Sequence, residues 1–224
     1  MHGSNVIFTI GPLEITGVIV TSWVIILLLT VFSILATRKL KPVPGVLQNA
    51  AEMAVEGLEN YFAGIMGRHH ARKFFPVFAT FFIFIVVSNY SGLLPGAGHY
   101  SAFAVPTACL SVTAALGIIA FFTTHTVGIR ERGAKHYFKT FIVPVALMLP
   151  INLIEQIVRP VSLALRLYGN LYAEEMVVEE LYNIFPILLP LVMNVMSLLF
   201  CFIQAMVFTM LLAIYVSEAV EEEE

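Results

Sequence analysis

The chain has 224 residues, 59% of them hydrophobic and only 12% charged, against about 25% charged in a typical soluble domain. Such a composition excludes a soluble enzyme and predicts one all-α integral membrane bundle rather than two domains. The formal net charge of −3 implies no partner, because the charges are very unevenly placed.

The N-terminal sequence MHGSNVIF lacks the basic region of a cleaved leader. A spanning helix needs about 20 mostly apolar residues, and span one is predicted over residues 13–37. Next comes VLQNAAEMAVEGLENYFAGI, with apolar residues at Leu47, Ala50, Ala54, Leu58, Tyr61 and Ile65 and with Glu52, Glu56 and Glu59 on the other face. This spacing predicts an amphipathic helix over 45–67, lying at the interface or packing at the base of the bundle. Its acidic face argues against binding anionic headgroups. Spans two and three are predicted over 74–94 and 102–126. Span four, over 144–180, and span five, over 186–217, are long and would form a tilted hairpin. Residues 152–180 alone measure about 43 Å at 1.5 Å per residue, against about 30 Å of hydrocarbon. Residues 218–224 form an acidic tail. Neither an internal repeat nor a linker to a second domain is visible.

Basic residues set the orientation. Arg38, Lys39 and Lys41, then Arg68, Arg72 and Lys73, then Arg130, Arg132, Lys135 and Lys139 all fall on one side if the N-terminus is outside and the C-terminus cytoplasmic. These are ten of the twelve Lys and Arg residues; the other two, Arg159 and Arg166, lie inside span four.

Charge inside a span is costly, about 2.5–3.5 kcal/mol for a central arginine on insertion scales. On a helical wheel centred on Arg166, Glu155 falls ~20° and Ser162 ~40° to one side, and Arg159 falls ~20° and Asn170 ~40° to the other. These five residues form one narrow polar stripe. Glu174 lies on its edge at ~80°, and Glu175 on the opposite face at ~180°. Glu155 and Arg159 are an i, i+4 pair that can satisfy each other, as a structural ion pair or as part of a transport path. Arg166 has no acid one turn away in either direction, and spans two, three and five contain no Asp or Glu. An intramembrane cation without a partner in its own chain should face water or another chain's carboxylate.

Span five carries Asn194, Ser197, Cys201 and Gln204 at helical spacing, either as interhelical hydrogen-bonding glue or as a second functional stripe. Glu175 or Arg166 could face it across the hairpin. Ser88, Asn89 and Ser91 near the end of span two either line an aqueous entry or bond backbone near a helix end. Thr107, Ser111 and Thr113 open span three as weaker lining candidates. His69, His70, His99, His125 and His136 lie at or beyond span ends, where solvation is the default reading. The two cysteines, Cys109 and Cys201, have no disulfide or metal spacing, and no metal or cofactor motif and no nucleotide, zinc-protease or hydrolase signature is present.

The stretch RPVSLALRLYGNLYAEE, residues 159–175, resembles subunit a of rotary F-type ATP synthase. The family pattern P-[VIL]-[ST]-L-x-[LFM]-R-L-[FY]-G-N-x-x-A-x-E matches from Pro160 to Glu175. SNYSGLLPG, PTACLSVTAAL and IQAMVFTMLLAIYVSEA resemble further family segments in the same order. The resemblance implies a membrane stator in the F0 sector of the bacterial cytoplasmic membrane, non-catalytic itself, with an essential arginine at Arg166 facing a ring of c subunits. It also implies two half-channels passing H+ or Na+ to that ring, and b-type peripheral stalk subunits as further partners beside the lipid bilayer. Asn170, Glu175 and Gln204 match channel and interface positions, and Glu155 an acidic position towards the cytoplasmic exit. Asn89, Ser111, Glu174 and Ser197 complete the candidate half-channel set. The chain departs from the family at Cys109, where many members have Asp, at Ser111 in place of Asn, at Glu174 in place of Gly, and at Ser197 where some have His. The extra Glu174 is expected to stand in for the polar group lost at Cys109. Two other classes stay open on the residues alone: a stand-alone channel or secondary transporter, which would usually show paired repeats and broken helices, and a structural scaffold, which would need an internal partner for Arg166.

Overall fold

The computed structural model describes residues 6–10, 13–37, 45–93, 105–134, 137, 149–184 and 188–220. The basic residues Arg38, Lys39, Lys41, Lys135 and Lys139, together with His99 and His136, lie outside this set, as do the predicted span ends at 94, 102–104, 144–148 and 186–187. A short antiparallel hairpin, β1 (Val6–Ile10) and β2 (Leu13–Thr16), is followed by five helices: α1 (Gly17–Thr37), α2 (Val46–Ser91), α3 (Leu110–Arg132), α4 (Leu149–Ile184) and α5 (Leu188–Val220). A 3-10 turn, Pro106–Ala108, precedes α3.

The hairpin corrects the expected start of span one. Leu13–Thr16 pairs as a strand with β1 instead of opening the helix. Its β-branched Ile15 and Thr16 suit a strand as well as an apolar helix start. Helix α1 is apolar all round and hardly packed, with Trp23, Leu27, Phe32 and Leu35 all exposed. Such a helix is at home only against lipid or another chain.

Helix α2 is one element broken at Gly67, whose φ of 77° and ψ of 155° leave the helical region. This conformation suits glycine, which lacks a Cβ to clash. The half before the break folds against the half after it: Phe62 is fully buried, with its ring centroid 5.0 Å from that of Phe78 and 6.5 Å from that of Phe75. The expected apolar stripe is therefore shifted. Ala50 and Ala54 are exposed, while the inward face runs Leu58, Phe62 and Met66. A buried phenyl ring removes far more apolar area from water than two alanines, so Phe62 decides which face turns in.

Helix α3 extends to Arg132, beyond the predicted end at 126, and stops at Gly133, whose φ of 79° lets its N–H bond the Ile129 carbonyl. Helix α5 likewise continues to Val220, so residues 218–220 of the expected tail are helical. Four helical segments of the described residues are long and apolar enough to cross a membrane: Gly17–Leu35, Gln48–Ser91, Leu110–Arg132 and Leu191–Val220. Helix α4 is equally long but carries the charges discussed above.

Contacts fix the order of packing. Lys73 on α2 pairs with Glu131 on α3 at 2.7 Å. Gly117 on α3 lies against Pro160 and Ala164 on α4. Asn170 on α4 bonds Gln204 on α5, and Asn89 on α2 reaches Cys201 on α5. As one helix advances its partner recedes, so α2 (after Gly67), α3, α4 and α5 alternate in direction. The shared core joins Phe78, Ile85, Leu167, Phe208, Leu212 and their neighbours into one cluster. Arg68, Arg72, Lys73, Arg130 and Arg132 consequently lie at one end of the bundle, hereafter the basic end.

Candidate functional site: the outer face of helix α4

Helix α4 buries Leu163, Ala164, Leu167 and Leu171. On the wheel these centre about 115° from Arg166. Burial of that stripe fixes the helix's rotation, and Arg166 is left on the flank that faces away from the bundle. It is exposed, as are Ser162, Val161 and Leu165 around it. With Ile157 and Val158 these residues line a shallow open depression of about 600 Å³. Among the described residues no hydrogen bond or ion pair engages the Arg166 guanidinium.

The rest of the polar stripe divides. At the basic end Arg159 donates to Glu155, with its Nη2 2.6 Å from Oε1 and its Nε 3.2 Å from the same atom. Arg159 also pairs through Nη1 with Glu218 on α5, and its guanidinium lies 4.9 Å from the centre of the Tyr215 ring. On the other side of Arg166, Asn170 donates from Nδ2 to Gln204 Oε1 at 2.7 Å. Asn170 and Gln204 are therefore brought together, and Arg166 and Glu175, either of which could face span five on the sequence, are both exposed. Glu174, one turn beyond Asn170, is half-buried, and Glu175 points to a different face of the helix.

Further polar residues are buried on α2, the 3-10 turn and α5. Ser88, Asn89, Thr107 and Ser197 are all buried. Asn89 donates from Nδ2 to the Cys201 carbonyl at 3.3 Å, and the Tyr90 hydroxyl donates to the Leu198 carbonyl at 3.2 Å. Among the described residues, the buried Ser88 Oγ, Asn89 Oδ1, Thr107 Oγ1 and Gln204 Nε2 all lack a protein partner. Buried polar atoms are costly unless they are satisfied, by water where protein groups do not reach. Ser111, by contrast, is exposed and its hydroxyl lies 3.1 Å from Cys109 Sγ. Asn194 is exposed too, so only Ser197, Cys201 and Gln204 of the span-five stripe turn inward.

Sequence reasoning placed Glu218 in the tail and gave it no role. Its signal lay in the helical spacing of Tyr215 and Glu218, which sets an aromatic ring and an acid on one face one turn apart. Tyr137 was also overlooked. It is buried against Gly128, where an added Cβ would lie 2.4 Å from the ring, and burial raises its phenol above the ordinary value. Among the described residues no group of three or more His, Cys, Asp or Glu side chains could hold a metal ion.

Residues 19–217 match the family model described as ATP synthase A chain. The chain is 45% identical over 208 residues to ATP synthase subunit a of Trichlorobacter lovleyi, covering 91% of this chain and 87% of that one. It is 45% identical over 205 residues to ATP synthase subunit a of Geotalea uraniireducens, with 90% and 86% covered. ATP synthase subunit a 1 of Syntrophotalea carbinolica is 45% identical over 205 residues, with 90% and 84% covered. A multi-helix membrane bundle carrying an exposed arginine on its outer face, and matching along almost its whole length, belongs to the ATP synthase A chain family.

Proposed function

We propose that this chain is the ion-conducting stator of a rotary ATP synthase in the bacterial cytoplasmic membrane, and that Arg166 meets the carboxylates of a rotating c-subunit ring one after another. The observation that carries this reading is the exposed Arg166 on an otherwise apolar outer face, with no partner among the described residues. A guanidinium there needs a counter-charge, and a ring of identical subunits delivers one repeatedly without ever neutralising the stator permanently. A carboxylate opposite Arg166 is favoured in its ionised form, because an adjacent cation stabilises the charge. The bound ion leaves the rotor site at that point. The same fixed charge repels cations and prevents a direct leak between the two access paths.

The outer path follows the buried polar atoms of Ser88, Asn89, Thr107 and Gln204, which require water in an apolar bundle. The inner path opens at the basic end beside Glu155, and b-type subunits of the peripheral stalk hold the stator in place. Replacing Arg166 and following coupled ion pumping in the assembled complex tests the reading; retained pumping contradicts it.

Glu174 serves the outer path as an extra ion-collecting carboxylate. It is half-buried on the Asn170 side of α4, while Cys109 and Ser111 engage each other. With protons as the driving ion, E174Q should slow ATP synthesis most at alkaline external pH, where protons are scarce and a collecting base matters most. An unchanged external-pH profile would remove Glu174 from the path.

A further inference from the structure

Glu218 is the point at which three helices meet. Its carboxylate holds Arg159 of α4, and its backbone carbonyl accepts from Arg132 Nη2 of α3 at 3.5 Å. Glu218 lies in the last turn of the described part of helix α5, which runs to Val220. Arg159 is held by two acids of different kinds. Glu155 is on its own helix, one turn back; Glu218 is on α5 and reaches across the interface. Only the second contact ties α4 to α5. Arg159 lies seven residues from Arg166, about 10 Å along the axis. The next described side-chain bond between α4 and α5 is Asn170–Gln204, on the far side of Arg166.

We infer that Glu218 is a positioning residue: by gripping Arg159 across the α4–α5 interface it fixes the depth along α5 at which α4 presents Arg166. The Arg159–Glu218 and Asn170–Gln204 bonds bracket the exposed arginine, and cutting the one at the basic end frees that end of α4 to slide. The inference rests on the stator reading. Its particular content is that the Glu218 contact sets the register of α4 against α5.

The test uses the assembled ATP synthase in membrane vesicles, with subunit content measured beside ATP-driven proton pumping and ATP hydrolysis. E218A is expected to lower pumping per assembled complex on the order of tenfold, within the ~100-fold that a 1 Å misplacement can cost. E131A, which cuts the exposed Lys73–Glu131 pair between α2 and α3 at the same end of the bundle but leaves the α4–α5 grip, should lose less than about twofold, because exposed ion pairs contribute little. E218D should restore most of the pumping. Equal losses in E131A and E218A, or wild-type pumping in E218A, would overturn the inference. Should E218A not assemble, E218Q keeps the size without the charge, and pumping equal to E218D would overturn it equally. R166A in the same series separates the two ideas. If R166A pumps, the stator reading fails; if R166A is silent and E218A is normal, only the positioning role fails.

Discussion

Replacing Arg166 by alanine is expected to abolish ATP-driven ion pumping in vesicles carrying the assembled complex, by more than about 100-fold. That corresponds to at least about 2.7 kcal/mol at 1.36 kcal/mol per tenfold. The complex should still assemble, because Arg166 touches no buried partner: it is exposed and no described residue bonds it. Here the loss is functional without being structural. Passive ion leak through the membrane sector should rise in the same vesicles, because the fixed charge proposed to separate the two access paths has gone. R166K should recover only part of the coupling. Lysine offers a point charge in place of a planar fork, and it can lose its proton when desolvated, whereas guanidinium stays charged. Full coupling in R166K would show that any positive charge suffices.

A substitution at Gly117 should have the second-largest effect, and of the opposite kind. A Cβ on Gly117 would lie 2.8 Å from the Pro160 carbonyl oxygen and 3.1 Å from the Ala164 Cβ. Neither neighbour is the free end of a flexible side chain, so α3 and α4 must separate. Overpacking of this kind costs about 1–3 kcal/mol, and here it falls two residues from Arg166. G117V is therefore expected to reduce the amount of chain found in the complex several-fold, with residual coupling below its share of assembled material. G64A is the matching control. No atom lies within 4 Å of a Cβ placed at Gly64, and alanine is the better helix former by about 1 kcal/mol. Normal assembly in G117V would mean that α3 and α4 do not approach as closely as the backbone contact requires.

Much of the architecture was legible because hydropathy and helical period are local. Apolar runs marked the spans, and the wheel isolated Arg166 before any packing was known, since its helical neighbours could be read directly. Asn170 and Gln204 were picked out separately, one on each final span, and the structure joins them. The failures share a cause. The Arg159–Glu218 contact links residues 59 apart in sequence and depends on the register of two long antiparallel helices, which no local pattern sets. The inward face of α2 matches the expected stripe at Leu58, Tyr61 and Ile65 but not at Ala50 and Ala54, because it is centred by the Phe62–Phe78 contact across the Gly67 break. The strand at Leu13–Thr16 was missed because a short apolar run does not distinguish a strand from a helix start. The wheel gives angles within a helix, but packing of the Leu163, Leu167 and Leu171 face decides which angle points inward.

On the proposed function, the outer face of α4 meets the rotor's carboxylate. This contact is tested most directly by a disulfide. Ser162 is exposed one turn from Arg166 and lines the same depression. With Cys109 and Cys201 replaced by serine, S162C is paired with a cysteine placed beside the carboxylate of the ring subunit, and the assembled complex is oxidised in its membrane. The expected result is a cross-linked product of the two chains and loss of ATP-driven pumping, with pumping restored by reductant. Contradiction would be the absence of any cross-link while S162C reacts freely with a lipid-soluble thiol reagent, for that face of α4 would then look onto lipid and not onto a rotor.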